Sequence, residues 1–161
     1  MSHSFIFSPS LWCGEGKIVL NMVEEQLIFN TNWTVQNKDG TGKILCVQEI
    51  QIQGLSENMR NELSFYDFQP KSFSVSMENE NVGCIVGTGV FDDKVIGWEF
   101  RNNEMSFEGY ETYTLQNDGS YLMKGEYVTS DQFRTLIEAH IHPKSNEASS
   151  YDKPKENEEN E

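Results

Sequence analysis

Apolar and polar residues alternate at every second position along most of this 161-residue chain. In residues 72–78, Phe73, Val75 and Met77 share one side, and three serines and a glutamate occupy the other. Successive side chains of a strand point to opposite faces, so this period indicates strands with one buried face. The pattern predicts an all-β protein with little or no helix.

Ten such segments follow one another, separated by short polar loops. They are residues 16–23, 26–36, 43–53, 62–69, 72–78, 83–91, 95–101, 105–116, 120–129 and 132–142. Loops such as 37–40 and 117–119 are rich in residues that adopt turn conformations, and short loops between neighbouring strands indicate antiparallel hairpins. Closing about ten strands into one meander removes the exposed edges. The sequence therefore predicts an antiparallel up-and-down β-barrel of about ten strands.

Helical patterns are brief. Ser56 is placed to cap a short turn that runs to Asn61, with Leu55 and Met59 as its apolar side chains. Residues 22–26 fit either a tight hairpin or a short helical lid, and we expect the hairpin because the pattern spans barely one turn.

Charge and composition divide the chain into two parts. Residues 143–161 hold six acids, three lysines and two prolines but few apolar side chains, so we expect a disordered acidic tail. Residues 1–142 keep twenty acids and nine bases, a net charge of −11, and form the predicted barrel domain. No two basic residues are adjacent, which argues against nucleic acid and anionic membrane surfaces as partners.

The three cysteines are widely spaced and include no CxxC pair. They are expected to be reduced thiols, which together with the lack of a signal peptide or an apolar membrane span predicts a cytoplasmic protein. Gly87, Gly89 and Gly14 lie within strand patterns, where glycine permits close backbone approach.

The start of the predicted barrel, Trp12-x-Gly14-x-Gly16, and the run of short strands after it resemble the calycin group of lipocalins and fatty-acid-binding proteins. The resemblance covers about 140 residues and implies a single antiparallel barrel that encloses a small apolar ligand. Lipocalins close the barrel floor with a tryptophan against an arginine from a late strand, and Arg134 lies on the last predicted strand here. The Arg-x-Tyr pair of fatty-acid-binding proteins does not occur in this sequence.

Aromatic and polar residues on the apolar strand faces are the candidates for a ligand site. A barrel of this size is either filled by side chains or hollow enough for one small ligand. Aromatic side chains would form the walls, and a few polar groups would orient the ligand. The candidate ligand-binding residues are Trp33, Gln48, Phe73, Trp98, Tyr113, Tyr127 and Thr135.

Neither a metal site nor a catalytic site is predicted. Glu138, His140 and His142 share one face of the last strand, but that face lies opposite the apolar stripe and is expected to point to solvent. No Ser–His–Asp arrangement is recognisable, so a non-enzymatic role is favoured. No cofactor is expected. An enzyme that uses a carboxylate, a tyrosine or a cysteine stays open.

The strands at 105–129 carry apolar residues on both faces. Tyr110 and Leu122 fall opposite the inner stripe and need a cover, which the N-terminal residues 5–7, a partner or a second copy of the chain could supply. The leading prediction is binding of a small apolar molecule, and a self-associating or protein-interaction module is the alternative. An isomerase, lyase or cyclase on the same barrel is the second alternative.

Overall fold

The structure is a computed structural model, and it describes residues 3–23, 25–102, 104, 106–129 and 133–144. These residues form ten antiparallel strands. The strands are β1 (Ser10–Leu20), β2 (Gln26–Val35), β3 (Ile44–Ile52), β4 (Asn58–Tyr66), β5 (Ser72–Asn79), β6 (Gly83–Phe91), β7 (Val95–Asn102), β8 (Phe107–Leu115), β9 (Tyr121–Val128) and β10 (Arg134–Pro143). None of the described residues is helical.

Each strand pairs with the next one along the chain, and β10 pairs with β1 to close the barrel. The predicted all-β, up-and-down barrel is therefore confirmed. Its inner and outer faces follow the alternation of the sequence: in β5, Phe73, Val75 and Met77 are buried, and Ser72, Ser74 and Ser76 are partly exposed on the other side.

Two strand boundaries differ by more than three residues from the sequence-based predictions. Strand β1 begins at Ser10, six residues before the predicted start, because residues from Ser10 onward pair with the end of β2. Strand β4 begins at Asn58, where a short helical turn was expected; Met59 and Asn61 pair with Ile50 and Gln48 of β3. Ladder pairing outweighs the weak helical preference of so short a segment. The hairpin predicted between β1 and β2 is present.

The N-terminal segment closes one end of the barrel. Phe5 is completely buried, and its ring centroid lies 5.0–5.5 Å from those of Trp12, Trp33, Tyr113 and Tyr121. His3 fixes the segment, because its ring nitrogens lie 2.7 Å from the Tyr121 hydroxyl and 2.6 Å from the Asp92 carbonyl oxygen. The residues near this end therefore form a packed core.

This position excludes one of the three possible covers for β8 and β9 and differs from the floor of a lipocalin. Residues 5–7 pack at the closed end, with Phe5 and Ile6 buried inside it, so they do not cover the outer face of β8 and β9, where Tyr110 and Leu122 stay 43% and 47% exposed. Trp12 contacts Phe5 and Tyr121, whereas Arg134 begins β10 at the other end and pairs with Glu126. The lipocalin-like Trp–Arg floor is thus replaced by an aromatic plug.

Strand β10 continues to Pro143, which pairs with Trp12, and the Lys144 amide donates a 2.9 Å hydrogen bond to the Leu11 carbonyl. The first two residues of the segment predicted as a tail thus extend the barrel. Residues 145–161, the rest of that segment, lie outside the described residues. The described part of the chain contains no helix of the length and apolarity that crossing a membrane requires.

Candidate ligand-binding cavity

A cavity of about 250 Å³ occupies the half of the barrel away from the N-terminal plug. Ligand cavities of drug-sized molecules start at roughly 300 Å³, so this one suits a compact ligand. Its walls are the inward residues of eight strands and one loop, among them Ile18, Phe29, Ile50, Met77, Phe107, Met123, Ile137 and Ala139. The aromatic plug fills the other half and accounts for the modest volume.

Five of the seven predicted ligand-binding residues line this cavity: Trp33, Gln48, Tyr113, Tyr127 and Thr135. The other two lie elsewhere in the core. Phe73 packs against Phe7, Phe65 and Phe91 toward the closed end, and Trp98 lies between β6 and β8 against Phe65 and Tyr113. They share the inward face with the other five but lie outside the cavity lining.

A carboxylate flanked by two tyrosines forms one pole of the cavity. The Tyr113 hydroxyl donates a 2.6 Å hydrogen bond to Oε1 of Glu111, and the Tyr127 hydroxyl donates to Oε2. Glu111 and Tyr113 are two residues apart on β8, so both point inward, and Tyr127 reaches them from β9. Both carboxylate oxygens are engaged by donors, the arrangement that suits an ionised carboxylate.

Gly109 makes room for this arrangement. It pairs with Tyr127 across β8 and β9, and a Cβ atom at position 109 would overlap the Tyr127 ring. The ring therefore lies against the bare backbone and stacks on Phe107 at a centroid distance of 5.5 Å. In this position its hydroxyl reaches the glutamate.

Burial governs the proton affinities of this group. Removal from water raises the pKa of Glu111 above its usual value, and the two tyrosine hydroxyls offset part of that rise. Burial also raises the pKa values of Tyr113 and Tyr127 well above that of a free tyrosine, and the neighbouring carboxylate raises them further. Both tyrosines therefore stay neutral hydrogen-bond donors at physiological pH.

A chain of amides forms the opposite wall, on strands three to five positions around the barrel from β8 and β9. Asn79 Nδ2 donates to Asn61 Oδ1 at 2.9 Å, and Asn61 Nδ2 donates to Gln48 Oε1 at 3.0 Å. Gln48 Nε2 lies 3.4 Å from the Thr31 hydroxyl, which donates to the Glu49 carbonyl. The backbone amides of residues 81 and 82 donate to Asn79 Oδ1 and anchor the chain. These bonds hold the polar wall in place.

The described cavity lining includes no lysine, arginine or histidine. Glu111 is its one ionisable acid among the described residues, so its charge has no counter-ion in the wall. The indole N–H of Trp33 is also buried without an acceptor in the described part of the chain. A buried polar group left without a partner costs about 1–3 kcal/mol, which a complementary ligand group would recover.

The cavity adjoins a groove at the open end of β4 and β5. Backbone pairing between these strands covers residues 62–66 and 74–78. It leaves unpaired the first four residues of β4 and, next to them, Asn79 at the end of β5. The groove beyond it, of about 500 Å³, shares four lining residues with the cavity: Met59, Asn61, Asn79 and Asn81. Its other described lining residues include Glu57, Arg60, Glu62, Glu78 and Glu80. The groove and the cavity are therefore neighbours that share these four residues as lining.

The polar stripe on β10 lies on the outside of the barrel, as expected. His140 Nε2 lies 2.9 Å from the Ser120 hydroxyl, and His142 contacts Glu15 and Cys13 at 3.5 and 3.6 Å. Glu138 is exposed. Within the described residues, no three His, Cys, Asp or Glu side chains group in a way that could hold a metal ion.

Sequence reasoning identified Gln48 and both tyrosines but missed Glu111 and the two asparagines of the amide chain. Glu111 is an even number of residues from Phe107 and Tyr113, so it lies on the same inner face of β8. An acid that interrupts an apolar stripe was the sequence signal for a polar site. Asn61 and Asn79 likewise follow inward-facing parity in β4 and β5. Each of these residues could have been predicted by first assigning every strand residue to the inner or outer face and then looking for polar residues on the inner one.

Comparison with known proteins gives a structural relative but no sequence family. No protein-family model matches the chain, and no curated protein matches it. The structure of the S-type phycobiliprotein lyase CPES from Guillardia theta superposes with a TM-score of 0.67 at 9% sequence identity, over 88% of this chain and 92% of that one. At this identity the match shows the fold, a calycin-like barrel.

Proposed function

We propose that this protein binds one small, largely apolar molecule inside its barrel. The observation that carries the proposal is the cavity of about 250 Å³, whose apolar walls surround a few fixed polar groups. Concave, mostly apolar sites with a small number of oriented polar side chains are typical of ligand binding. The similar barrel of a phycobiliprotein lyase supports a ligand role for this architecture.

The test is calorimetric titration of the purified protein with n-octanol, a neutral probe without charge preference. We expect saturable binding of one molecule per chain. The variant Ala139→Leu adds three carbon atoms to the cavity wall and should weaken binding at least tenfold, because Ala139 is buried and lines the cavity.

Thr88→Leu is the matched control. It adds an apolar side chain on the exposed outer face of β6, away from the cavity lining, and should leave the affinity unchanged. Absence of binding to the wild-type protein, or equal loss in both variants, would contradict the proposal.

A second candidate function is catalysis by proton transfer, favoured by the position of Glu111. A carboxylate in an apolar cavity with a raised pKa is suited to act as a general base. Exchange of solvent deuterium into the α-carbons of cyclohexanone, followed by NMR, tests this role. An enzyme would accelerate the exchange, and Glu111→Gln would abolish the acceleration without lowering thermal stability; a rate equal to that in buffer would argue for a binding protein.

Self-association through β8 and β9 is the third candidate. Tyr110 and Leu122 are large apolar side chains on the outer face, and both are about half exposed. Light scattering after size exclusion tests it: a dimer that Leu122→Glu converts to monomer supports the role, and a monomeric wild-type protein rejects it.

A cytoplasmic location also fits the proposal, because Cys13, Cys46 and Cys84 are free thiols.

A further inference from the structure

We propose that the ligand of this cavity is a compact apolar amine, and that its ammonium group pairs with the Glu111 carboxylate between the Tyr113 and Tyr127 hydroxyls. The inference rests on the proposed binding function and names the chemical class of the ligand.

The first argument is charge balance. Glu111 lies inside the barrel, and the described cavity lining holds no cationic side chain. A buried carboxylate is costly unless it is paired, and hydrogen bonds from neutral tyrosines compensate only part of that cost. A protonated amine supplies the missing positive charge where water is scarce and the attraction is strongest.

The second argument is hydrogen-bonding capacity. A carboxylate has about four acceptor positions, and the two tyrosine hydroxyls occupy one on each oxygen of Glu111. The remaining positions suit the N–H donors of an ammonium group. Phe107, Tyr113, Tyr127 and Trp33 also line the cavity, and aromatic rings attract cations.

The same features exclude an anionic ligand such as a fatty acid. Barrels that hold a carboxylate ligand need a cationic partner for it, and the lining described here offers none. Glu111 would add repulsion between like charges at close range. A neutral apolar molecule would fit the walls but would leave the carboxylate unpaired.

The groove between β4 and β5 supplies a third, independent argument. Four glutamates and one arginine are the charged residues in its described lining, at positions 57, 62, 78, 80 and 60. Arg60 is already engaged with Glu62 at 3.3 Å. The groove adjoins the cavity, with which it shares four lining residues, and the whole chain carries a net charge of −14. A negative field beside the cavity raises the local concentration of cations and speeds their association.

The experiment compares three probes with the same alkyl chain, namely n-octylamine, n-octanol and n-octanoate, by calorimetry at pH 7 and low salt. We expect n-octylamine to bind at least tenfold more tightly than n-octanol, and n-octanoate to bind most weakly. Glu111→Gln should bring n-octylamine to within about threefold of n-octanol.

Glu108→Gln is the matched control, because it removes the same charge from the exposed outer face of β8, three residues away. It should keep the preference for the amine. If Glu111→Gln does not fold, a pH series on the wild type and on Glu108→Gln replaces it. The preference for n-octylamine should decline equally in both proteins as acid protonates Glu111, and a preference that does not decline would overturn the role of Glu111.

The outcomes separate the two proposals. If n-octanol binds and n-octylamine binds no better, or if n-octanoate binds best, the amine assignment is wrong and the binding function stands. If none of the three probes binds the wild-type protein, both proposals fail. Loss of the amine preference in Glu108→Gln as well would show a general surface-charge effect and overturn the role of Glu111.

Discussion

The hydroxyl of Tyr113 donates a 2.6 Å hydrogen bond to Oε1 of Glu111, two residues earlier on the same strand. This spacing places both side chains on the inner face of β8, inside a cavity whose other walls are largely apolar. The pair gives the interior one charged group in a fixed orientation. It is the feature that distinguishes this barrel interior from an ordinary packed core.

Replacing Glu111 by Gln should change how stability depends on pH. Burial raises the pKa of Glu111 in the folded state, so the folded protein holds this proton more tightly than the unfolded chain does. The contribution of Glu111 to wild-type stability therefore falls as pH rises above about 4.5, the unfolded value, toward the folded pKa. Gln does not titrate. The melting temperature of Glu111→Gln should therefore exceed that of the wild type by an amount that increases with pH over that range.

Thermal melts of both proteins between pH 4 and pH 8 measure this gap. Other acids contribute equally to both proteins and cancel in the difference. A gap that is independent of pH would show that Glu111 titrates as it does in water.

Phe5→Ala should strongly destabilise the barrel. The ring is completely buried and touches four aromatic residues at the closed end, so its removal leaves a cavity. The expected loss is about 3–5 kcal/mol of unfolding free energy, measured by urea denaturation. Leu11→Ala, at a side chain that is half exposed, should cost far less. Similar losses in both variants would mean that the N-terminal plug is not part of the core.

The three thiols should react with N-ethylmaleimide in a defined order. Cys84 is exposed on the outer face of β6 and should react first. Cys13 is partly buried with a raised pKa, so it should follow more slowly. Cys46 is buried, and burial raises its pKa to about 12, so it should react only after unfolding. Peptide mass spectrometry over time gives the order, and early modification of Cys46 would contradict a closed barrel.

Two truncations should locate the end of the folded domain. A chain that ends at Lys144 keeps the pairing of Pro143 with Trp12 and the hydrogen bond to Leu11, and we expect its melting temperature to match that of the full chain. A chain that ends at His142 loses both contacts and should be less stable by about 1 kcal/mol. A large loss already at Lys144 would show that residues 145–161 contribute to the fold.

The fold could be predicted from the sequence because the alternation of apolar and polar residues shows which side chains of each strand face the barrel interior. Once Phe73, Val75 and Met77 are assigned to one face, the inner surface of β5 is known. This alternation does not show how far along the barrel axis an inward side chain lies. For that reason Phe73 and Trp98 were grouped with the ligand-binding candidates, although the N-terminal plug and the strand registers place them outside the cavity lining.

The site was harder to predict, because its chemistry depends on contacts between strands. Glu111 had no acidic companion at a suggestive spacing, and one of its two tyrosine partners, Tyr127, lies sixteen residues away on β9. The amide chain likewise joins residues of three strands. Such contacts follow from the pairing register, which a single sequence leaves open.

Occupancy of the cavity is the most direct test of this account. Native mass spectrometry of freshly purified protein, followed by incubation with n-octylamine, measures it for the wild type and for Ala139→Leu. We expect the wild-type chain to carry one small molecule, from the cell or from the added amine, and to release it on unfolding, and we expect Ala139→Leu to carry little. A wild-type protein that shows only the bare chain mass, before and after incubation, would contradict the central claim that the barrel is a ligand-binding site.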